Sequence, residues 1–411
     1  MIYGRTDCGI QYAVRKSGSA VAYCALSIRC GTRDEEGYSS GIAHFTEHTI
    51  FKGTTKKSSS VINGFLDRLG GELNAFTTKE EIVLHTTVLK EDLPKAANLL
   101  FELATSAVFP DSEVNIEKGV VIDEINSYKD SPSEDIYDKF EEMLFCGHPL
   151  SSPILGTAAS VRKIKKEELL RFVREKFTPG RMAFSIVADL DEGKMEKFVG
   201  RLAEKWFPGA VAPVMESPVT HPVFRVAAGF EKTVNKKNHQ ANCVIGNTGP
   251  TLYEEKERIA AILMCNILGG PANNSILNYE LREKNGLVYG VECTYTQYSD
   301  SGIVAVCLGC DRENLEKCCR LIDRQIDRLQ TDLMSPAKLA AAKKQILGQM
   351  AISSDNGETQ CLAMGKSLLA YGRVLQDDST KGKINSVGAE QIREAAQKIF
   401  DRKTLSRLVF L

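Results

Sequence analysis

The sequence predicts an α+β chain made of two homologous α/β domains, each a mixed sheet with helices packed on it. Three observations carry this. A chain of 411 residues exceeds what one ordinary hydrophobic core organises. Short runs rich in β-formers alternate with longer stretches of helical periodicity, which places helices against sheets. The chain also repeats itself in order: residues 42–53 can be laid on 259–270, 93–100 on 315–322, and 167–177 with 182–187 on 390–400 with 406–411. The expected division is 1–207 for a first domain, 208–220 for a linker holding Pro208, Gly209, Pro213 and Pro218, and 221–411 for a second domain.

The elements follow in order. Residues 10–14 and 20–28 are rich in β-formers and read as strands, and 31–37 form a polar loop ahead of a helix that opens near Gly41. A second helix starts at the Ser58-Ser59-Ser60 cluster and is stopped by Gly70-Gly71. Residues 72–78 and 82–88 look like paired strands. An amphipathic helix over 91–107 carries Leu93, Ala96, Ala97, Leu99, Leu100 and Leu103 on one stripe. Helices over 111–126, 131–145 and 164–177 and a strand over 182–188 complete the first copy.

The chemistry is concentrated in the helix after Gly41. His44 and His48, four apart, lie on one side of a helix, so both imidazoles can reach one metal ion. Glu47 sits beside the second histidine and one turn from the first, where a carboxylate can engage a metal-bound water without being a ligand. The pattern is H-x-x-E-H, a zinc-hydrolase signature. Neutral imidazoles suit zinc, and a hydrolytic site needs three protein ligands with one position left open. Taken alone, the pattern also fits two unrelated histidines and a solvated glutamate, so a third ligand has to be found. The helix over 111–126 offers Glu117 and Glu124, seven apart and therefore on one face, flanked by Val120, Val121 and Ile125. Ordinary solvated acids on an amphipathic helix are the alternative. At the matching positions of the second copy stand Ala261, Met264 and Cys265. One half keeps the chemistry and the other does not.

Composition narrows the partners. Hydrophobic residues make up 43% and charged residues 26%, as in soluble globular proteins. A net charge of −1 gives no reason to expect nucleic acid or an anionic membrane as partner. No apolar run approaches the roughly 18 residues of a membrane span. The first residues lack a basic segment followed by an apolar one, so no signal peptide is expected and the compartment read from this is the cytoplasm. The twelve cysteines fall mostly singly in apolar stretches, as buried free thiols do in a reducing compartment, and no paired spacing suggests thiolate-bound zinc. His85, His148, His221 and His239 read as structural or surface histidines.

Together these features resemble the pitrilysin (insulinase) family of zinc peptidases over essentially the whole chain. The resemblance implies a third ligand 76 positions after the second histidine, which is Glu124, and an accessory acid two turns earlier, which is Glu117. Asp123, the nearest competitor, points about 100° away around the helix. Residues 70–77 resemble the family's edge strand, so Asn74, Ala75, Phe76 and Thr77 would pair with the main chain of an extended substrate; a plain hairpin strand is the alternative. Residues 281–289 resemble a segment whose Arg282 and Tyr289 would hold the peptide carbonyl and stabilise the oxyanion. The alternative there is a helix-end arginine and a core tyrosine.

The implied protein is a zinc-dependent endopeptidase with one Zn2+ per chain. Two domains facing each other as a clamshell would enclose peptides or unfolded segments, and zinc-bound water would be activated by Glu47. Since 411 residues supply one pair of domains, a homodimer is expected. A non-catalytic partner subunit is the competing reading, but such relatives have lost motif residues that are intact here. A peptidase needing a separate partner chain is the third, and the presence of Arg282 and Tyr289 argues against it.

Overall fold

The computed structural model describes residues 1–212, 221–236 and 239–411. Most of the expected linker, residues 213–220, therefore lies outside the described residues. The first half runs β1 (Ile2–Arg5), β2 (Gln11–Lys16), β3 (Val21–Ile28), α1 (Ile42–Thr49), α2 (Ser59–Asp67), β4 (Glu72–Thr77), β5 (Ile82–Leu89), α3 (Leu93–Ser106), α4 (Asp111–Asp130), α5 (Pro132–Leu144), α6 (Ala158–Lys163), α7 (Lys166–Lys176), β6 (Met182–Ala188) and α8 (Glu192–Trp206). The second runs β7 (Glu231–Val234), β8 (Ala241–Thr248), α9 (Glu255–Gly269), β9 (Val288–Gln297), β10 (Gly302–Cys310), α10 (Leu315–Thr331), α11 (Pro336–Ser353), α12 (Gly357–Tyr371), α13 (Asp377–Ser386), α14 (Ala389–Ile399) and β11 (Ser406–Phe410). Strand β1 has no counterpart in the sequence reading, and α4 runs four residues past its expected end.

Apart from the extra strand β1, the two sheets share one topology. The first has strand order β1-β2-β6-β3-β5-β4 and the second β7-β11-β8-β10-β9. In both, one pair is parallel (β2 with β6, β7 with β11) and the pairs that follow are antiparallel. Every helix of the repeat expected from sequence falls at the matching place: α1 with α9, α3 with α10, α7 with α14. Both sheets are mixed and helix-covered, so the α+β class holds.

The chain divides into two compact units that are not contiguous in sequence. One comprises Met1–Asn126, Ser152–Val219 and Ile352–Leu375; the other comprises Ser127–Ser151, Thr220–Ala351 and Gln376–Leu411. Two helices have thus exchanged places. Helix α12, from the second half, packs on β2, β3 and β6 of the first unit, where Cys361, Met364 and Leu368 meet Ala13, Ala25 and Val187. Helix α5, from the first half, packs on β8 and β11, where Ile136, Phe140 and Leu144 meet Val244, Leu408 and Phe410. The central strands are consequently buried on both faces. This is why β3 and β6 read as nearly continuous apolar runs rather than alternating ones.

The cysteines are free thiols, and most are buried. Among the described residues no helix is long and apolar enough to cross a membrane.

Candidate metal centre

The site is built where α1 approaches α4. Helix α1 begins at Gly41, whose φ of 87° lies in the left-handed region. A side chain there would also collide with the backbone of the 155–156 turn, because its Cβ would lie 2.7 Å from Leu155 O. Glycine offers the helix no side-chain cap. Glu35 supplies it instead, accepting hydrogen bonds from Gly41 N–H at 2.9 Å and Ala43 N–H at 3.0 Å. Ile42, Ala43 and Phe45 are fully buried and anchor one side of the helix in the core, which turns His44, Glu47 and His48 toward α4 and the sheet edge.

His44 Nε2 lies 3.8 Å and His48 Nε2 3.4 Å from Glu124 Oε2. The imidazole rings stand 4.5 Å apart, inclined at 60°. These three side chains are the one group of His, Cys, Asp and Glu among the described residues whose ligand atoms gather within 4.8 Å of one another. A tetrahedral zinc with bonds of about 2.0–2.1 Å sets its ligand atoms roughly 3.3 Å apart, so the spacing suits that ion. The donors suit it too. Glu124 Oε2 is buried with no hydrogen-bond partner, an orphaned acceptor aimed at two imidazole nitrogens. Asp123 is exposed on a different side of α4 and takes no part.

The surrounding groups tune these side chains. His48 Nδ1 is 2.9 Å from Glu117 Oε1, and donation of its N–H there leaves Nε2 with a free lone pair that could bind a metal. Burial alone would push the Glu117 carboxyl up, but bonds from His48 and Lys52 outweigh it and hold the carboxyl below its ordinary range. Burial, with neighbouring His48 adding to it, pushes His44 down to about 3, so this imidazole is neutral throughout the physiological range. Burial would lower His48 as well; the Glu117 hydrogen bond and the charges of Glu47, Glu124 and Glu117 reverse the direction and raise it. Glu47 is pushed up mainly by burial, against the pull of His48 and of a hydrogen bond that Thr77 Oγ1 donates to Oε2 at 3.2 Å. A carboxyl moved toward neutrality is suited to take and return a proton.

Strand β4 is the outermost strand of its sheet. Asn74, Ala75, Phe76 and Thr77 pair with His85, Leu84, Val83 and Ile82 of β5, which leaves the other edge of β4 free of any strand among the described residues. Thr77 thus joins the candidate substrate edge to the candidate base. In the second unit, Arg282 lies in the last turn of a π-helical segment (Asn278–Glu283) with its side chain half exposed, and Tyr289, the second residue of β9, is 69% exposed. Tyr289 is therefore not a core residue. His85 pairs with Glu358, and His148 pairs with Asp300, so each has a structural partner. Two residues at the site escaped the sequence reading. Lys52, one turn beyond His48, could have been found by extending the i, i+4 spacing; Glu35 sits in a loop and carries no periodic signal.

Comparison with known proteins adds the following. Residues 12–158 match the family model described as insulinase, peptidase family M16, and residues 163–346 match the one described as the peptidase M16 inactive domain. A protein of Bacillus subtilis named an uncharacterized zinc protease is 29% identical over 91% of this chain and 89% of its own length. One of Streptomyces coelicolor with the same description is 27% identical over 91% of this chain and 81% of its own length. Two crystal structures share the fold across 100% of this chain: a peptidase M16 inactive domain from Pseudomonas fluorescens (TM-score 0.88, 19% identity, 97% of that chain) and a protease from Helicobacter pylori (TM-score 0.89, 18% identity, 98% of that chain).

Proposed function

For a chain that belongs to the insulinase family of peptidases, M16, and is by that membership a metalloprotease, we propose the following catalytic reading. It is an endopeptidase acting on peptides or unfolded segments, with one zinc per chain bound by His44, His48 and Glu124. The observation that carries this is the convergence of three ligand atoms from two helices, with Glu117 oriented on His48 behind them. Bound there, zinc supplies a Lewis acid and lowers the pKa of water to about 7. Glu47 takes the proton from the attacking water and returns it to the leaving amine. The free edge of β4, at Asn74 to Thr77, holds an extended substrate by main-chain hydrogen bonds, so affinity depends little on side chains. Arg282 and Tyr289 bind the peptide carbonyl as negative charge develops on its oxygen. Their exposure in the second unit supports a role outside their own core. The acting form is a homodimer.

The test is digestion of an unstructured peptide by the purified chain, with and without chelator, beside Glu47→Gln. Chelator abolishes cleavage, and Glu47→Gln retains zinc while turnover falls about 10²–10⁴-fold. Cleavage that persists in chelator, or in Glu47→Gln, refutes the mechanism.

A further inference from the structure

The ion pair behind the metal centre has no place in the mechanism above. Lys52 follows His48 by four residues, so His44, His48 and Lys52 stand in register along one side of α1 and its 3₁₀ continuation, Ile50–Lys52. Its Nζ lies 2.7 Å from Glu117 Oε2, while Glu117 Oε1 receives the His48 ring at 2.9 Å. Each oxygen of one carboxylate is thereby committed to a different partner.

We infer that Lys52 is a positioning residue for the metal: by pinning Glu117 Oε2 it keeps Oε1 aimed at His48 Nδ1 and keeps the carboxylate out of the coordination sphere. The inference rests on the zinc reading above. The Glu117 side chain is only 6% exposed, so water is a poor substitute for a lost cation. His48 already faces Glu47 and Glu124 as well as Glu117, and Lys52 offsets one of these three negative charges. Without the ammonium nothing holds Glu117 Oε2, and the carboxylate is free to rotate away from His48 Nδ1 and compete for the metal, which misaligns His48 Nε2. A mere surface salt bridge would do none of this, because such pairs add little to stability and touch no ligand.

The experiment measures zinc dissociation constants by competition with a chromogenic chelator. It compares the full chain with Lys52→Met, Lys52→Arg, Glu117→Gln, the Lys52→Met/Glu117→Gln double variant and His44→Ala, with urea midpoints of the chelator-treated forms alongside. Lys52→Met is expected to weaken zinc about tenfold, within the range usual for groups that orient a metal ligand, and Lys52→Arg is expected to restore most of it. The double variant binds no more weakly than Glu117→Gln, and the metal-free midpoint of Lys52→Met lies below the parent's, as follows from a buried carboxylate that has lost its cation. Should Lys52→Met not fold, Lys52→Gln is read in its place. An unchanged constant in the Lys52 variant, or losses that add in the double variant, overturns the positioning role. Parental affinity in His44→Ala instead overturns the metal centre itself, so the two failures are told apart.

Discussion

Glu35 sets two opposing effects against each other, and the pH dependence of stability decides between them. Its carboxyl accepts two backbone N–H groups at the start of α1, which favours the charged form. It is also 7% exposed, which disfavours charge. Burial outweighs the two backbone bonds and the nearby Lys79, pushing the carboxyl from its ordinary 4.5 up to about 8. A group raised in the folded state contributes stability that is fully present below its unfolded pKa and is lost as pH rises through the folded one. Between pH 4.5 and 8, the Glu35 contribution therefore falls by about 1.4 kcal/mol per pH unit, roughly 4–5 kcal/mol in all. The perturbation is Glu35→Gln, which keeps the shape and one acceptor but cannot ionise. Urea unfolding of chelator-treated parent and variant across pH 5–9 gives the difference in stability at each pH. The parent is expected to gain on the variant steadily as pH falls, and the difference to flatten above pH 8. If the parent gains as pH rises, the two N–H bonds dominate and the reasoning is refuted. Parallel curves refute it equally.

Two other outcomes follow from the geometry. Arg282→Met and Tyr289→Phe are each expected to lower kcat by about 10²–10³-fold with zinc affinity unchanged, as for loss of a donor to a developing oxyanion; a change confined to KM removes them from that role. Gly365→Leu, in the second half of the sequence, is expected to destabilise the first unit by about 1–3 kcal/mol through overpacking. Its Cβ would lie 2.5 Å from Ser27 Oγ on β3, so faster hydrogen exchange in β3 and β6 is the readout, and unaltered exchange there contradicts the helix exchange.

Much of this architecture is legible in residue order because it is local. The paired strands and the amphipathic α3 depend on periodicity within a dozen residues, the repeat shows as similar short segments recurring in the same order, and His44, Glu47 and His48 declare themselves through one helical turn. Glu117 and Glu124 are harder, since their spacing is equally that of a solvated helix face, and only the family resemblance singled out Glu124. The exchange of α5 and α12 was not legible at all. An apolar stripe such as Cys361, Met364 and Leu368 says that a helix must be covered, not which sheet covers it. Glu35 was hidden for a related reason: its partners are backbone amides, which every residue carries.

The second unit shows why the His-x-x-Glu-His pattern stands in one copy only. Helix α9 occupies the place of α1, but Ala261 and Met264 are fully buried there and Cys265 nearly so. Its last turn also sits so close to β9 that a Cβ on Gly269 would lie 2.6 Å from Cys293 N. The face that presents imidazoles in the first copy is core packing in the second. The absence of histidines there and the closing of that face go together, since apolar side chains gain from being buried while uncompensated polar groups do not. The first unit carries the reverse burden. It buries His44, Glu35 and Glu117, groups whose desolvation weakens the fold, and it recovers stability to the extent that a cation binds the folded state and not the unfolded one. A cation that bound His44, His48 and Glu124 would therefore add to the stability of the first unit, whereas the second, with the same strand order and an apolar helix in the place of α1, carries no such buried polar set on that helix.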